Sequence, residues 1–484
     1  MIGRQTHCRS FACCRISLRR PGSITLLAFR YPHAPRDLIR QPCLWSAATM
    51  DPVIHLQNLI RCNTTNPPGN EIVAARYLAD VLSRAGYAPV VLESAPGRGN
   101  VVARYKGDGS KRPLLLYNHL DVVPAEAEHW SHDPFAGVID RGMVWGRGAL
   151  DMKSIVVQQL MVMLRLARER PALRRDVIFA GCADEEVGGE MGLGFLVREH
   201  RALVDAEIGL SESGATPIYL NGHTLYAIQC GEKGSCRLVL RATAAPGHGA
   251  SPDYENYAIR YLAIALERLT RAYLPTHLTT TVRNLLAALA PLVDVPADRL
   301  LDETGFEKAL EQVAVPTLRQ SLLHITRNSA APTLLRAGTK INVVPGTAEA
   351  ELDGRILPGY DVHHLMSEVR AAIGDDLPVE VIHVPGRDAP GLEAPSAGPV
   401  WDTLVGQLQK HDPAAVVVPT LLAGGTDAQH LAPLGVKTFG FSPMRFPRDF
   451  NWHGLVHGHD ERVPIDALAW GIDVLYDTVL ELCR

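Results

Sequence analysis

The sequence lacks three features that would each point to a particular class of protein. No apolar run in its 484 residues approaches the ~20 residues of a membrane-spanning helix, so we expect no membrane partner. The chain has no long basic stripe beyond its N-terminal segment and a formal net charge of -4, which argues against nucleic acid. No Cys-x-x-Cys pair occurs, so neither a disulfide framework nor a thiolate zinc site is indicated. Scattered cysteines favour a reducing, cytoplasmic compartment.

The first 49 residues differ in composition from the rest. They contain eight arginines, no lysine and one acid, Asp37. Such composition is typical of a mitochondrial transit peptide, whereas the apolar stretch from Ile24 to Phe29 is too short for a secretory signal. We favour translated upstream sequence with the working start at Met50, because an amphipathic helix follows directly. Residues 1–49 are therefore left out of the predicted fold, and a mitochondrial location applies only if they are a transit peptide.

Strands and helices alternate in the body of the chain. Helical periodicity covers residues 53–61 and 71–86. Continuous apolar segments at 113–119, 176–181 and 206–210 are typical of strands in a buried parallel sheet, and a long helix is expected after the first of them, over 151–170. This order predicts an α/β domain with a largely parallel central sheet flanked by helices.

The pattern changes near residue 234. Strands and helices then follow in the order β-α-β-β-α-β, which predicts an inserted α+β two-layer sandwich. A long segment at 273–330, with helical spacing at 299–313, interrupts it as a helical excursion. We therefore expect a catalytic domain made of residues 50–232 and 388–484, and an inserted lid domain at 233–387.

Metal-ligating side chains follow the predicted strands. His119 ends the first apolar strand, and Asp121, two residues on, is placed to accept its second ring N–H. On an extended backbone the adjacent Glu185 and Glu186 would point opposite ways, so one carboxylate could ligate a metal while the other faces a substrate water. Because carboxyl ends of parallel strands share one rim, these residues should converge. The candidate set is His119, Asp151, the Glu185-Glu186 pair, Glu212 and His457.

The number of ligands indicates two metals. Alone, His119 is compatible with a core histidine and Asp151 with a helix N-cap. Together, two histidines and three carboxylates exceed one catalytic zinc, which takes three protein ligands and a water. They suit two ions ~3.5–4 Å apart that share a bridging carboxylate. The expected cofactor is thus a pair of divalent metal ions.

With these motifs the chain resembles the di-zinc metallopeptidases that include aminoacylase, carboxypeptidase G, acetylornithine deacetylase and succinyl-diaminopimelate desuccinylase. The resemblance covers about residues 50–484. It implies zinc, with cobalt or manganese as alternatives, and a cis peptide after Asp151. It also implies that Asp151 bridges both metals, that His119 and Glu212 complete one and Glu186 and His457 the other, and that Glu185 is the general base.

The resemblance extends to the inserted domain. His248, in Gly247-His248-Gly249, matches a histidine that reaches the scissile carbonyl of the other subunit in a dimer, which implies a homodimer through this domain. Asn342, Arg355 and, more weakly, Arg387 match positions that hold a substrate carboxylate, for which the arginine fork is suited. Gly425 belongs to a turn that lines the substrate pocket.

The function expected from these residues is hydrolysis of an amide bond in an N-acyl amino acid or short peptide with a free carboxylate. A di-zinc aminopeptidase is the neighbouring alternative, and Arg355 argues against it because it suits a carboxylate rather than an amine. A catalytically inactive binding protein on the same fold is a further alternative. His459 is a competing metal ligand, and His457 is preferred because the family's ligand precedes an acidic pair by three residues.

Overall fold

The computed structural model describes residues 48–386 and 388–484. The N-terminal segment up to residue 47 and the candidate Arg387 lie outside the described residues. Within these ranges the α-helices are α1 (Pro52–Arg61), α2 (Ile72–Arg84), α3 (Lys153–Glu169), α4 (Leu193–Glu199), α5 (Arg201–Val204), α6 (Ala258–Arg271), α7 (Thr280–Val293), α8 (Ala297–Leu300), α9 (Phe306–Leu310), α10 (Pro316–Ile325), α11 (Val362–Ile373), α12 (Pro399–His411), α13 (Ala428–Leu431) and α14 (Ile465–Cys483).

The strands of the described residues form two main sheets and two small ones. They are β1 (Val90–Glu93), β2 (Gly99–Tyr105), β3 (Leu114–His119), β4 (Val138–Asp140), β5 (Met143–Trp145), β6 (Val177–Cys182), β7 (Ile208–Ser211), β8 (Thr216–Leu220), β9 (His223–Glu232), β10 (Gly234–Thr243), β11 (Gly247–His248), β12 (Ser329–Ala337), β13 (Val343–Val344), β14 (Thr347–Ile356), β15 (Val379–His383), β16 (Leu392–Glu393), β17 (Ala415–Leu422), β18 (Lys437–Gly440) and β19 (Arg462–Pro464).

The large sheet is parallel at its centre, as predicted. Its strands follow the order β1-β2-β6-β3-β7-β18-β9-β16, and β8 and β17 also pair with β9. Strand β3 runs parallel to β6 and β7, and its apolar residues are buried alternately on opposite faces, as is typical of strands in a parallel sheet covered by helices. Leu114 and Leu116 pack with α1, α3 and α14, whereas Leu115 and Tyr117 pack with α4 and α13. The prediction of an α/β domain with helices on both faces is confirmed.

The second main sheet has the predicted sandwich order. Strands β12-β14-β10-β15 form an antiparallel sheet, and α6 and α11 contact it. In chain order this is β10-α6-β12-β14-α11-β15, the expected β-α-β-β-α-β arrangement. Leu238 and Leu352 from the sheet share a core with Leu262 and Leu365 from the two helices.

The segment that interrupts the sandwich is helical, as predicted, but packs elsewhere. Its longer helices, α7 and α10, lie outside residues 299–313, where helical spacing was expected and where only α9 and the end of α8 occur. Val282 and Leu286 of α7 share a core with Leu225 of β9 and Val418 of β17. The segment therefore covers the large sheet rather than the sandwich.

Several strands were not anticipated from the sequence. These are the hairpin β8–β9, the strand β18 and the small sheet of β4, β5 and β19. Strand β9 is a junction of the large sheet because it pairs with β8, β16, β17 and β18. Among the described helices, none combines the length and the apolar character that crossing a membrane requires.

Candidate functional site

The carboxyl ends of the parallel strands bring the candidate ligands together. His119 is the last residue of β3 and stands opposite Cys182, the last residue of β6, after which Glu185 and Glu186 follow. Glu212 follows β7 directly. Asp151 lies in the turn before α3, the helix that packs beside β3. The predicted convergence of these residues at the carboxyl ends of the parallel strands is therefore observed.

Asp151 lies between two histidines from distant parts of the chain. One carboxylate oxygen, Oδ1, is 3.1 Å from His119 Nε2, and the other, Oδ2, is 3.1 Å from His457 Nε2. Glu212 Oε2 is 3.8 Å from His119 Nε2, and Glu186 Oε2 is 3.3 Å from His457 Nε2. The five residues thus form two groups, each with one histidine and one glutamate, that share Asp151.

The donor set of these groups fits divalent metal ions. In each group the ligand atoms lie within 4.8 Å of one another. Glu186 Oε1 is buried without a hydrogen-bond partner among the described residues, although a buried carboxylate oxygen is costly to leave unpaired. Imidazole nitrogens and carboxylate oxygens are ligands of zinc and of neighbouring transition metals. Two cations would fit here, one in each group.

Burial and neighbouring charged groups shift the pKa values of two carboxyl groups in the site, in opposite directions. Burial disfavours ionisation of Asp151, but hydrogen bonds from His119 and His457 outweigh it and hold the pKa of Asp151 below its ordinary value. Burial raises the pKa of Glu185 well above its ordinary value, and the nearby Glu212 carboxylate adds to this increase. Burial therefore favours the protonated form of Glu185, which suits a group that accepts and returns a proton.

Asp121 holds two parts of the site in place. Its carboxylate accepts hydrogen bonds from the backbone N–H groups of Glu185 (3.2 Å) and Glu186 (3.2 Å), and from Asn66 Nδ2 (2.9 Å). His119 Nδ1 is 3.0 Å from the backbone oxygen of Asp121 and 3.5 Å from its carboxylate. The expected contact with the ring is thus made chiefly by the backbone oxygen, while the carboxylate orients the glutamate pair.

The backbone around the glutamate pair differs from expectation. Glu185 and Glu186 do not lie on an extended backbone, so the argument from alternating side chains is wrong for this pair. They form a 3-10 turn, Glu185–Val187, after Asp184, which has a left-handed φ of 78°. Arg98 Nη2 lies 2.7 Å from the Asp184 carboxylate and 2.7 Å from Glu71. These ion pairs fix the position of Asp184, the residue that directly precedes the 3-10 turn.

The turn that carries Asp151 is supported by Glu461, which the sequence analysis missed. The Glu461 carboxylate is fully buried, pairs with Arg147 (2.7 Å) and accepts from the backbone N–H groups of Gly148, Leu150 and Asp151. The peptide Asp151–Met152 is cis, as the resemblance implied. Helix α3 begins at Lys153, so Asp151 is not its N-cap. The signal for Glu461 was its place four residues after His457.

A second missed carboxyl lies next to the candidate Gly425. Asp427 is 3% exposed, and neither carboxylate oxygen has a hydrogen-bond partner among the described residues. Burial raises its pKa well above the ordinary value. Gly425 lies in the turn after β17, close to Lys233, and Thr426 Oγ1 donates to Glu232 (2.7 Å). This turn joins the site to the start of the sandwich.

The other candidates are not in contact with the two groups of ligands. His248 lies on β11 and Asn342 directly precedes β13, and both residues are exposed. These two strands come from distant parts of the chain and pair in a small antiparallel ladder, in which the N–H of Gly249 donates to the Asn342 carbonyl (3.0 Å). The Arg355 guanidinium, on β14, pairs with Asp353 (3.1 Å). Of the two competing candidates, His457 contacts Asp151, whereas His459 lies 3.8 Å from Glu126.

Comparison with known proteins agrees with this geometry. The model of peptidase family M20/M25/M40 matches residues 115–481. The chain belongs to this peptidase family. It is therefore a hydrolase that acts on amide or peptide bonds.

Curated relatives and solved structures share most of this chain's length. The mouse N-fatty-acyl-amino acid synthase/hydrolase PM20D1 is 29% identical over 81% of this chain and 80% of its own length. Pig aminoacylase-1 is 27% identical over 86% of this chain and 91% of its own length. The crystal structure of an M20 family metallo-carboxypeptidase, Sso-CP2 from Sulfolobus solfataricus, superposes with a TM-score of 0.64 over 89% of this chain and 99% of its own, at 18% identity. This last likeness concerns the fold alone.

Proposed function

We propose that this M20 peptidase hydrolyses the amide bond of an N-acyl amino acid or a short peptide that ends in a free carboxylate. The observation that carries the proposal is Asp151, whose two carboxylate oxygens each lie 3.1 Å from a different histidine. A carboxylate in that position suits a bridge between two cations. The substrate class is supported by the names of two relatives, an N-fatty-acyl-amino acid synthase/hydrolase and an aminoacylase.

The residues that would hold the ions divide into the two observed groups. His119 and Glu212 would hold one, Glu186 and His457 the other, with Asp151 shared. We propose zinc, because imidazole and carboxylate ligands suit it, and cobalt or manganese could replace it. When bound, such a pair would polarise the scissile carbonyl and lower the pKa of the attacking water to ~7.

Glu185 is the proposed general base. Its side chain is buried beside the ligands, and its pKa is raised by burial, so it can take a proton from water and hold it. It would then deliver this proton to the leaving nitrogen as the C–N bond breaks. Asp121 supports this role because it accepts from the backbone N–H of Glu185.

The inserted domain supplies the proposed recognition groups. Arg355 would bind the substrate carboxylate in place of Asp353, its present partner at 3.1 Å, and Asn342 and Gly425 would line the same pocket. His248 is exposed on β11, so we propose that it serves the site of a second subunit and stabilises the developing oxyanion there. Arg387 remains a weaker candidate of the same kind.

A homodimer through the inserted domain is the proposed assembly. Strand β12 lies at the edge of the sandwich sheet and exposes Leu334 and Leu335, and the segment around β13, which follows β12, exposes Ile341 and Val343. Exposed apolar groups along an unpaired sheet edge suit pairing with another chain. We propose domain limits of 50–232 with 388–484 for the catalytic domain and 233–387 for the insertion, and a cytoplasmic location.

Replacing the proposed base tests the mechanism. Glu185→Gln should lower kcat on an N-acyl amino acid by about 10²–10⁴-fold, because proton transfer is lost while the ligands remain. The metal content, measured by mass spectrometry, should be unchanged. Glu190→Gln is the matched control, since Glu190 lies on the same loop with its side chain 70% exposed and, within the part of the chain that the structure describes, pairs with Arg198 alone.

Two results would contradict these assignments. Loss of metal from Glu185→Gln would make Glu185 a ligand rather than the base. Faster hydrolysis of an aminoacyl amide than of an N-blocked amino acid would replace the proposed activity with that of an aminopeptidase.

A further inference from the structure

A third group of metal-ligating side chains lies in the inserted domain, apart from the catalytic residues. His277 Nε2 is 2.5 Å from Glu368 Oε1, and His364 Nε2 is 3.5 Å from the same oxygen. The three ligand atoms lie within 4.8 Å of one another. His364 and Glu368 are one helical turn apart on α11, and His277 comes from the connection between α6 and α7. Two chain segments therefore supply the group.

The glutamate of this group is oriented by a buried amide. Glu368 is 7% exposed, and its second oxygen, Oε2, accepts from Asn328 Nδ2 at 3.0 Å. The Asn328 side-chain oxygen accepts in turn from the Leu357 N–H at 2.8 Å. Oε1 is thereby directed to the two rings. A hydrogen-bonded partner on the far oxygen is what the ligating carboxylates of metal sites usually have.

The group lies where the helical segment leaves and re-enters the sandwich. Thr276 and Arg327 form an antiparallel bridge across this neck, and the His277 N–H donates to the Thr326 carbonyl at 2.7 Å. Since Asn328 comes from the returning chain, both sides of the neck converge on Glu368 of α11. A cation bound here would join the neck to the sandwich.

We propose that His277, His364 and Glu368 bind one divalent transition-metal ion, with Zn²⁺ as the preferred ion. Two imidazoles and one carboxylate are a three-ligand zinc set, with a fourth position for water or another small ligand. The half-exposed His364 opens the site to solvent, as its side chain is 47% exposed. With metal–ligand bonds of ~2.0–2.2 Å, the hydrogen-bonded His277 and Glu368 would separate to about 3.3 Å. Binding would displace any proton shared between them.

The bound ion would stiffen the neck rather than take part in hydrolysis. Helix α7, which follows the neck, packs on β9 and β17 of the large sheet. The ion would therefore link the sandwich to the segment that covers the large sheet. The proposal does not depend on the reaction assigned to the catalytic residues.

Counting zinc in the full-length protein tests the site. The protein would be equilibrated in a zinc-buffered solution, and its zinc content per chain measured by mass spectrometry. Wild type should bind three ions, one for each group of ligands, and His364→Ala two. His363→Ala is the matched control, because His363 is the exposed neighbour of His364 on α11, outside the group, and this variant should keep three.

Thermal unfolding gives a second measurement on the same samples. The third equivalent of zinc should raise the Tm of wild type and of His363→Ala, and should leave that of His364→Ala unchanged. Since His364 is half exposed, its replacement should not prevent folding. Equal zinc content in wild type and His364→Ala would overturn the proposal, and the group would then be an ion pair of histidine and glutamate only.

Discussion

The proposed metal ligands on the large sheet and the proposed recognition residues on the sandwich differ in how completely one chain brings them together. On the large sheet, His119 is 1% exposed, and each ligand lies within 4 Å of another. On the sandwich, His248 and Asn342 are exposed and touch none of these ligands, and the Arg355 guanidinium pairs with Asp353. One chain thus brings the proposed ligands into mutual contact, whereas the proposed recognition residues lie apart from them.

The difference has a structural cause. Three of the proposed ligands, His119, Glu186 and Glu212, follow parallel strands whose hydrogen bonds fix their relative positions, and Asp121 and Glu461 hold the neighbouring turns by buried hydrogen bonds. Strand β11, which carries His248, belongs to a two-stranded ladder at the surface. The geometry of the proposed ligands is therefore set by the core, while we propose that recognition also requires the substrate or another subunit.

The largest effect is expected from removing Asp151, the proposed shared ligand, which tests whether the two groups on the large sheet act as one site. Asp151→Ala deletes the carboxylate that faces both histidines, so the binding of both metal ions should be weakened at once. We expect kcat/KM to fall by at least about 10³-fold, since a catalytic metal contributes several kcal/mol to the transition state. Metal analysis and steady-state kinetics check this, with the exposed Asp449→Ala as control. Retention of both metals would mean that Asp151 is not the bridge.

Mixing two inactive variants tests whether a residue of one chain completes the site of another. If His248 serves the partner's site, His248→Ala should lower kcat by about 10²–10³-fold, the effect of losing one oxyanion donor. Mixing His248→Ala with Glu185→Gln after subunit exchange should restore about a quarter of the sites, because half of the dimers carry one complete site. Sedimentation would confirm the dimer. No recovery in mixed dimers would place His248 in its own chain's site.

Arg355 tests whether the sandwich recognises a carboxylate. Arg355→Lys keeps the charge but loses the planar fork, so kcat/KM for an N-acyl amino acid should fall about 10–100-fold, mainly through KM. The corresponding amide, which lacks the carboxylate, should lose little. Arg336→Lys is the control, as Arg336 lies on the neighbouring strand β12 and pairs with Glu351. An equal loss for both substrates would remove Arg355 from carboxylate recognition.

The smallest effect, a change in the pH dependence of stability, is expected where the large sheet meets the sandwich. Lys233, between β9 and β10, is buried, and burial followed by the nearby Arg355 and Arg327 lowers its pKa from 10.5 to about 8. The unfolded chain therefore holds this proton more tightly, so the contribution of Lys233 to stability increases as pH rises from about 8 to 10.5. Lys233→Met should remove roughly 1–3 kcal/mol of that increase.

Denaturant unfolding at several pH values measures this contribution. Other groups titrate in the same range, so the quantity compared is the difference between wild type and Lys233→Met at each pH. A difference that stays constant from pH 8 to 10.5 would show that Lys233 keeps its ordinary pKa in the folded protein.

Local sequence patterns predicted the elements whose signals are strong. Strands β3 and β6 were visible as continuous apolar runs, and α14 as a long periodic segment. Strand β9 was not, because its sequence mixes His, Thr, Gln and Glu with apolar residues. It is held by pairing with β17 and β18, about 200 residues away, and such partners leave no local signal.

For the site, the order of the motifs along the chain was enough to name the five candidate ligands that the structure brings together in two groups. The position of Glu461 near His457 gave a signal for that residue, but the N–H groups that Glu461 contacts, and the contact of Asn66 with Asp121, could not be anticipated because they depend on which turn lies nearby in space. The same holds for the packing of α7 on the large sheet, since an apolar helix face does not specify its partner.

The sequence by itself determined the α/β class, the inserted sandwich and the set of candidate metal-binding side chains, because these follow from local patterning, residue chemistry and the family resemblance. The resemblance also implied that Glu186 acts with His457, but only the tertiary structure placed Asp151 3.1 Å from both histidines and brought His277 to α11. Those relations are distances between residues far apart in the chain. Strand register and turn geometry set them, and neither is written in any single segment.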